Sequence, residues 1–542
     1  MEHGSRTDGR KHLSSGREDL ADRHESRSKR NRTQGKAAKC SCFAPCVLSL
    51  ETLNVARSSR ARGNCIAWCP IRLVVCPRAG SFPRRYNPGD GRTRPHAALR
   101  LKGEGAYLVD VDGQRFLDLN NNFTTLIHGH GYAPALEAVA RLLRDGTCFS
   151  NPTAHEIDLA ELLVERIPTV QQIRFVNTGT EAVMFAIKAA RAFTGRPCIA
   201  KIEGAYHGAY DWAEAGQGGT PSTWGSPEAP VAVPAYSGTP ASVADEVVIL
   251  RFNDPESARQ RIAAGLIDWL VFLLDPMPSR GGLIPPDPNF IAAVVETARQ
   301  YGILVVCDEV LNLRSKLSWR LRPLWIEPDL IAAGKIMGGG FPVGAIGGST
   351  RVMSVFDGSA GRAKSPKVAP SRKPGLHGSG RVSMEAMTET GFTRLEAMAD
   401  RLRTSLTAAI ERHHAKYVVS GVASLFRIHP KQITLPRGYR EAHATAGEAA
   451  SMKAMSHFFR DDGVVLPAGA SRVPVDAMTG PISTKLRTPL TDSWRQSRPR
   501  GRHANEHFSQ SNSDRRETRG GSVKLNRTGI ELSGYRGEWG RL

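Results

Sequence analysis

An acid at the end of an apolar run and a lysine in a glycine-rich turn could together perform cofactor chemistry. Asp308 directly follows the apolar run 302–307, and Lys335 lies within Ala333-Gly-Lys-Ile-Met-Gly-Gly-Gly340. Pyridoxal phosphate (PLP) chemistry needs such a pair. The lysine forms a Schiff base with the cofactor aldehyde, and the acid keeps the pyridine nitrogen protonated so that the ring accepts electrons. Either residue alone also fits an ordinary turn or helix cap.

A second segment is suited to holding an anion. Asn177-Thr-Gly-Thr-Glu181 joins a predicted strand to a predicted helix, and Thr178 and Glu181 have the spacing of a capping box. The small residues Gly179 and Thr180 leave backbone N–H groups free to meet an anion at the positive end of the helix. The segment therefore predicts a phosphate cradle, and helix capping without a ligand is the alternative.

Tyr206 and His207 follow the next predicted strand, 198–202, and so belong to the same edge of the sheet. A flat ring at that place can stack on the pyridine face of the cofactor. For His207, a catalytic role and a simple hydrogen bond within its own loop are both open.

The elements that must position these residues alternate between strands and helices. Strand-like runs are predicted at 172–176, 198–202, 247–250, 269–274 and 303–307, with helices at 133–145, 154–167, 182–193 and 289–300 and a hairpin at 105–119. This alternation indicates an α/β fold, a mainly parallel sheet flanked by helices. In such sheets ligands bind beyond the C-terminal strand ends, where Asp308 is expected.

Charge separates the ends of the 542-residue chain from its middle. Residues 81–470 carry 43 Lys and Arg against 38 Asp and Glu, so most of the net charge of +21 lies in the two ends. We expect the ends to be disordered, because they show neither strand nor helix periodicity. Their basic character makes a nucleic-acid-associated protein a further reading, but no aromatic residues are interleaved as a stacking platform requires, and we do not expect nucleic-acid binding.

Cysteine usage and hydropathy indicate a soluble, cytoplasmic protein. Six of the nine cysteines lie in the N-terminal stretch without a paired zinc spacing, and Cys148, Cys198 and Cys307 are scattered through the middle as reduced thiols. We therefore expect no metal site. No run approaches 18 apolar residues, so no membrane segment is expected.

Taken together, the motifs resemble those of the class-III aminotransferases of fold type I, and within them the glutamate-1-semialdehyde 2,1-aminomutase group most closely. The matching segments are Phe175-Val-Asn-Thr-Gly-Thr-Glu-Ala182, Lys201-Ile-Glu-Gly-Ala-Tyr-His-Gly208, Gly282-Leu-Ile-Pro-Pro286, Asp308-Glu-Val310 and Gly334-Lys-Ile-Met-Gly-Gly-Gly-Phe-Pro-Val-Gly344. The resemblance implies PLP-dependent amino-group transfer on an amino acid or amino-aldehyde.

The resemblance also implies roles for single residues. Lys335 would be the Schiff-base lysine and Asp308 the partner of the pyridine nitrogen. The cofactor would further contact the phosphate loop, the stacking ring with its histidine and an apolar side chain, namely Thr178, Gly179, Thr180, Tyr206, His207 and Val310. Asn122 and Phe123 would lie at the substrate pocket.

A division of the chain follows from the same resemblance. A large PLP-binding domain would span 151–350, and a smaller α+β domain would combine 85–150 with 384–470. Residues 351–383 would be an irregular insertion, and 1–84 and 471–542 would be disordered basic extensions. Two copies of the chain would form a homodimer, and the Gly/Pro/Ser-rich stretch 209–238 would be a mobile lid over the site.

Three departures from the family pattern concern the site. The segment His377-Gly-Ser-Gly-Arg-Val-Ser-Met384 lacks the family's phosphate-binding threonine and offers Ser379 in its place, and Asp275 replaces a glutamate. The residues beyond 469 also lose the family's last strands and helix. An alternative function is therefore a catalytically impaired homologue that serves as a binding or dimerising partner.

Overall fold

The computed structural model describes residues 100–264, 269–315, 326–358, 372–431, 434–467 and 471–472, which all lie within one compact unit. The N-terminal extension with its six cysteines, residues 473–542 of the C-terminal extension and residues 359–371 of the 351–383 segment lie outside these residues. The division of the chain into domains at the stated boundaries stays a prediction.

The central layer is a seven-stranded sheet. Its strands are β4 (Gln172–Val176), β5 (Cys198–Ile202), β6 (Val247–Leu250), β7 (Trp269–Leu274), β8 (Leu304–Asp308), β9 (Leu330–Ala333) and β10 (Gly344–Gly348), arranged in the order β4-β10-β9-β8-β7-β5-β6. All neighbouring pairs are parallel except those of β10, which runs antiparallel to both β4 and β9. The predicted mainly parallel sheet is confirmed, and each of the four strands β4 to β7 has the predicted bounds.

Helices of at least ten residues cover the strands. They are α1 (Ala133–Leu142), α2 (Ala154–Arg166), α3 (Gly179–Thr194), α4 (Pro255–Ala264), α5 (Pro288–Gln300), α6 (Pro374–Ala386), α7 (Glu389–Arg412) and α8 (Ala446–Asp461). Shorter turns of helix lie at Asn121–Thr124, Asp211–Glu214, Ala241–Asp245, Asn312–Arg314, Lys335–Gly338, Thr350–Met353, Ser354–Phe356 and Tyr439–Ala442. Apolar side chains from α3 and from the central strands share one core cluster, which explains why the strands are apolar on both faces.

Two smaller sheets accompany the central layer, and the first of them combines strands that precede and follow the central strands in the sequence. The first contains β1 (Arg100–Glu104), β2 (Tyr107–Asp110) and β3 (Arg115–Asp118), and is completed by β13 (Val464–Val465), which runs parallel to β3. The second contains β11 (Val418–Ser420), β12 (Leu425–His429) and β14 (Ser471–Arg472). The predicted hairpin at 105–119 corresponds to β2 and β3.

The segment 351–383 differs in part from its prediction as an irregular insertion. Helical turns occupy Thr350–Met353 and Ser354–Phe356, and α6 begins at Pro374. Proline at the first helical position and buried small residues along α6, such as Gly378 and Gly380, allow this helix to pack closely on α1 and on the turn at Lys335–Gly338. The described end of the segment is therefore a packed helix. None of the helices that the structure describes combines the length and the apolar character needed to span a bilayer.

Candidate active site

Asp308 ends β8 and is held by a histidine from a neighbouring strand end. The Oδ2 atom of Asp308 lies 2.7 Å from Nδ1 of His207, and Oδ1 accepts a hydrogen bond of 3.0 Å from the backbone N–H of Val310. His207 is buried, and burial lowers the pKa of its imidazole while the Asp308 carboxylate raises it. His207 therefore does more than hydrogen-bond its own loop, because it fixes the carboxylate of Asp308.

Lys335 follows β9, the parallel neighbour of β8, so its backbone lies at the same C-terminal edge as Asp308. Lys335 has a φ of 51°, a left-handed conformation that L-residues seldom adopt. The residue before it is in close contact with the phosphate cradle: a Cβ added to Gly334 would lie 3.4 Å from the Cα of Gly179. The fold thus brings the backbone of the lysine turn against the predicted cradle.

The cradle itself is the first turn of α3. Thr178 is the N-cap residue, and its side chain accepts a hydrogen bond of 3.1 Å from the backbone N–H of Glu181. The Glu181 carboxylate accepts a hydrogen bond of 2.7 Å from the backbone N–H of Asn177. The reciprocal bond of the expected capping box therefore goes to Asn177 and not to Thr178. The N–H groups of Gly179 and Thr180 have no acceptor within the helix, because they belong to its first turn.

Close packing explains why glycines occupy this edge. A Cβ added to Gly179 would lie 2.7 Å from Cγ1 of Val310, and a Cβ on Gly208 would lie 2.5 Å from Oγ1 of Thr180. Both distances are too short for real atoms. Thr180 also accepts a hydrogen bond of 3.3 Å from the backbone N–H of Ala209. The cradle, Val310 and the loop after β5 are thereby locked together.

Tyr206 precedes His207 and is 43% exposed. The guanidinium carbon of Arg280 lies 4.6 Å from the centre of the Tyr206 ring, within the range of a cation–π contact. A ring has two faces, so this contact leaves one face for a ligand. The stacking role of Tyr206 stays a prediction.

Asn122 and Phe123 lie in a turn whose residues all have left-handed backbone conformations, from Asn121 to Thr124. Phe123 is 49% exposed. The carbonyl oxygen of Thr124 accepts a hydrogen bond of 3.2 Å from Nη1 of the buried Arg314. This strained turn is the kind of backbone that functional sites retain, but the contact of Asn122 and Phe123 with a substrate stays a prediction.

Asp275 adds a second buried carboxyl group beside the site. β7 and β8 pair Leu274 with Cys307, so Asp275 and Asp308 follow at neighbouring strand ends. Asp275 Oδ1 accepts hydrogen bonds from the backbone N–H of Met277 (2.9 Å) and from Nδ2 of Asn312 (2.8 Å). Burial, and then the charge of Asp308, raises the pKa of Asp275 from 3.8 to about 7.

The stretch 209–238, predicted to be a mobile lid, is held by two residues that follow each other in the chain. Tyr439 donates a hydrogen bond of 2.7 Å to the carbonyl of Gly219. Arg440 donates to the carbonyl groups of Trp224, Gly225 and Ser226 and to both carboxylate oxygens of Glu203. In the described conformation, these hydrogen bonds hold the stretch in place. That it is a mobile lid stays a prediction. Sequence reasoning missed both residues because neither belongs to a motif.

Ser379 does not take the place of the missing threonine within this chain. It is fully buried, and its hydroxyl donates to the carbonyl groups of Gly338 (3.3 Å) and Gly339 (3.4 Å). These bonds tie α6 to the turn after Lys335. A different side chain from the same region reaches the cradle: Nζ of Lys373 donates a hydrogen bond of 2.7 Å to Oδ1 of Asn177.

These residues fit PLP on the geometry of the site. Asp308 provides a carboxylate for the ring nitrogen, and Lys335 follows the neighbouring strand at the same sheet edge. The N-terminus of α3 provides backbone N–H groups for the phosphate. Gly179 and Gly208 allow the cradle, Val310 and the loop after β5 to approach each other closely at that edge. Nε2 of His207 is buried and has no hydrogen-bond partner among the described residues. One polar atom of the site is therefore still without a partner in the described part of the chain.

Comparison with known proteins gives one family. Residues 90–365 match the family described as Aminotransferase class-III. An ω-transaminase from Sphaerobacter thermophilus is 40% identical, with a TM-score of 0.71, over 76% of this chain and 95% of that one. A β-phenylalanine aminotransferase from Variovorax paradoxus is 28% identical (TM-score 0.65; 75% and 90% covered), and a glutamate-1-semialdehyde aminomutase from Pseudomonas aeruginosa PAO1 is 20% identical (TM-score 0.66; 73% and 87% covered).

Proposed function

The chain belongs to the class-III aminotransferases, PLP-dependent enzymes that transfer amino groups, and from this we propose that it is a transaminase that moves the amino group between two substrates. One observation supports the proposal most directly. Oδ2 of Asp308 lies 2.7 Å from Nδ1 of His207, at the sheet edge where Lys335 follows the neighbouring strand. When bound, PLP supplies an aldehyde that links to amines and a ring that withdraws electrons.

Different side chains of the site would hold different parts of the cofactor. Lys335 would hold the cofactor through its side-chain amine, and as a free amine it would move the proton at the reacting carbon as general base and acid. Asp308 would hold the ring nitrogen of the cofactor, and His207 fixes the direction of the Asp308 carboxyl group. Thr178, Gly179 and Thr180, at the start of α3, would bind the phosphate.

The remaining residues shape the pocket. Val310 packs on Gly179, and Val310 and Tyr206 would hold the cofactor ring through apolar and aromatic contacts. Asn122 and Phe123 contact the substrate from the strained turn near the start of the described chain.

We place the substrate among amino acids, with amino-aldehydes as the second class. A transaminase is favoured over a mutase because identity is 40% to the ω-transaminase and 20% to the aminomutase. The β-phenylalanine aminotransferase supports aromatic β-amino acids as the first donors to examine.

The same proposal includes a homodimer and a cytoplasmic location. Class-III aminotransferases are typically dimeric, so light scattering of the purified protein is expected to give twice the mass of the chain. Free thiols at Cys148, Cys198 and Cys307 suit a reducing compartment.

A half-reaction screen tests the proposed function. Protein purified with PLP is mixed with a panel of amino donors, and conversion of the cofactor to its amine form is read by absorbance. Borohydride treatment before the screen is expected to add the cofactor mass to the peptide that contains Lys335, and the Lys335→Ala variant is the control that loses both signals. Absence of any spectral change across the panel would favour the alternative, an impaired homologue that only binds partners.

A further inference from the structure

Lys373 lies at the start of α6, where it is the N-cap residue, and its side chain is half-buried. Its ammonium group donates to the side-chain oxygen of Asn177 at 2.7 Å. Asn177 is the residue directly before Thr178, the N-cap of α3. A cation from a distant part of the sequence therefore reaches the border of the phosphate cradle.

The described hydrogen-bond partner of Lys373 is an amide oxygen and not a carboxylate. No acidic side chain among the described residues forms an ion pair with it, whereas its neighbour Arg372 pairs with Glu156 at 4.0 Å. An ammonium group has three N–H donors. The Asn177 contact uses one of them, which leaves donors for a further acceptor at the same place.

Groups of both signs surround Lys373: its partner Asn177 also donates through Nδ2 to the Glu181 carboxylate at 3.1 Å, and Arg372 precedes it. His377, one turn further along α6, packs its ring 4.7 Å from that of Phe175 on β4. Burial first, and then the charges of His155 and Lys373, lowers the pKa of His377 from 6.5 to about 4. His377 is thus neutral near pH 7, and Lys373 supplies the positive charge that α6 brings to this end of β4.

A phosphate needs more charge than the helix provides. A phosphate monoester carries about −1.5 to −2 at neutral pH, and a helix N-terminus is equivalent to roughly +0.5. The family's phosphate-binding threonine is missing, and Ser379 is committed to two carbonyl groups. Resting on the proposed function, we propose that Lys373 binds the cofactor phosphate of its own chain and so completes the cradle formed by Thr178, Gly179 and Thr180.

The test compares two ligands that differ only in the phosphate. Pyridoxamine 5'-phosphate and pyridoxamine both lack the aldehyde, so neither links to Lys335, and their binding to cofactor-free protein is measured by calorimetry. Lys373→Gln is expected to weaken binding of pyridoxamine 5'-phosphate about tenfold or more, since charge-assisted hydrogen bonds are the strong ones. Binding of pyridoxamine is expected to stay as in the wild type, and Lys373→Arg to retain most of the phosphate-dependent affinity.

Lys188→Gln is the matched control, because it removes the same charge from a half-buried lysine of α3 at a distance from its first turn. As a second readout, inorganic phosphate is expected to raise the melting temperature of cofactor-free wild type and of the Lys188 variant, but not of Lys373→Gln. An unchanged affinity of Lys373→Gln for pyridoxamine 5'-phosphate, or an equal loss for both ligands, would overturn the assignment. If wild-type protein binds neither ligand, the proposed function itself fails.

Discussion

At the scale of residues, two buried carboxyl groups end neighbouring parallel strands and have different partners. Asp308 faces the imidazole of His207, while Asp275 faces an amide group and a backbone N–H. Only one of the two therefore has a partner that is able to carry a positive charge. The same chemical group acquires different properties from its surroundings, as in other enzymes with paired carboxyl groups.

Replacing His207 tests its hold on Asp308. His207→Ala removes a 2.7 Å hydrogen bond to a buried carboxylate, so we expect cofactor-free protein to lose about 2 kcal/mol of unfolding free energy. His207→Asn retains a donor and is expected to recover part of it. Urea unfolding of the three proteins measures the difference, and equal stability of the two variants would show that the volume of the ring matters more than its hydrogen bond.

Asp275→Asn is expected to change the dependence of stability on pH. The pKa of Asp275 is raised to about 7 in the folded protein, so between about pH 4 and pH 7 the folded state holds a proton that the unfolded state has lost. Its contribution to stability is therefore fully present at low pH and is lost as the pH rises to about 7. Apart from burial, Asp308 and Glu309 raise the pKa of Asp275, and the hydrogen bonds from Met277 and Asn312 lower it.

The variant lacks this loss, so its stability relative to wild type is expected to increase between pH 5 and pH 8. Unfolding of cofactor-free protein in urea at several pH values measures the change. Asp145→Asn, at an exposed position, is the control and is expected to follow the wild type throughout. A constant difference between Asp275→Asn and wild type across this range would contradict the prediction.

At the scale of elements, the stretch 209–238 is fastened to residues far along the chain. The ion pair between Arg440 and Glu203 is largely buried, with exposed side-chain fractions of 15% and 4%. Arg440 also lies 5.1 Å from the centre of the Trp224 ring. One side chain thus joins the end of β5, the predicted lid and the short helix Tyr439–Ala442.

Arg440→Met is expected to release the lid. Each hydrogen bond from a charged donor contributes about 1.5–3 kcal/mol, so amide exchange of residues 219–226 should become at least tenfold faster. Mass spectrometry after deuterium exchange measures it. Arg437→Met, at an exposed position three residues earlier, is the matched control. Unchanged exchange in Arg440→Met would mean that other contacts, such as those of Tyr439 with Gly219 and of Arg261 with Glu228, hold the stretch.

The sequence predicted the apolar strands and the residues at their ends, whereas it did not predict the long-range contacts. β4 to β7 follow their predicted bounds because they are short apolar runs between turn residues. β10 was not predicted: its sequence Gly-Ala-Ile-Gly-Gly has little strand propensity, and close packing on β4 and β9 selects its glycines. Lys373 and Arg440 have no local signal at all, because each acts on a residue more than 190 positions away.

At the scale of the whole molecule, a strand from late in the described chain completes the first sheet. Leu117 donates to the carbonyl of Gly463 (2.7 Å), and Leu119 donates to that of Val465 (3.0 Å). Val464 is 3% exposed and shares a core cluster with Leu117 and Phe459. The first and last described parts of the chain therefore depend on each other for burial.

Val464→Asp is expected to lower the unfolding free energy by roughly 3 kcal/mol or more, because it buries a charge without a partner. Val465→Asp, at a half-buried neighbouring position, is expected to cost less than half as much. Denaturant unfolding followed by tryptophan fluorescence measures both. Equal effects at the two positions would show that β13 does not direct its side chains as described.

The parallel pairing of β3 with β13 also has a consequence for synthesis. The ribosome adds Leu117 long before Val464. The edge of β3 that pairs with β13 is therefore unpaired while the central layer is being translated. Exposed strand edges invite pairing with other chains. Nascent chains arrested before residue 464 are therefore the species in which chaperones should be found bound at residues 115–118.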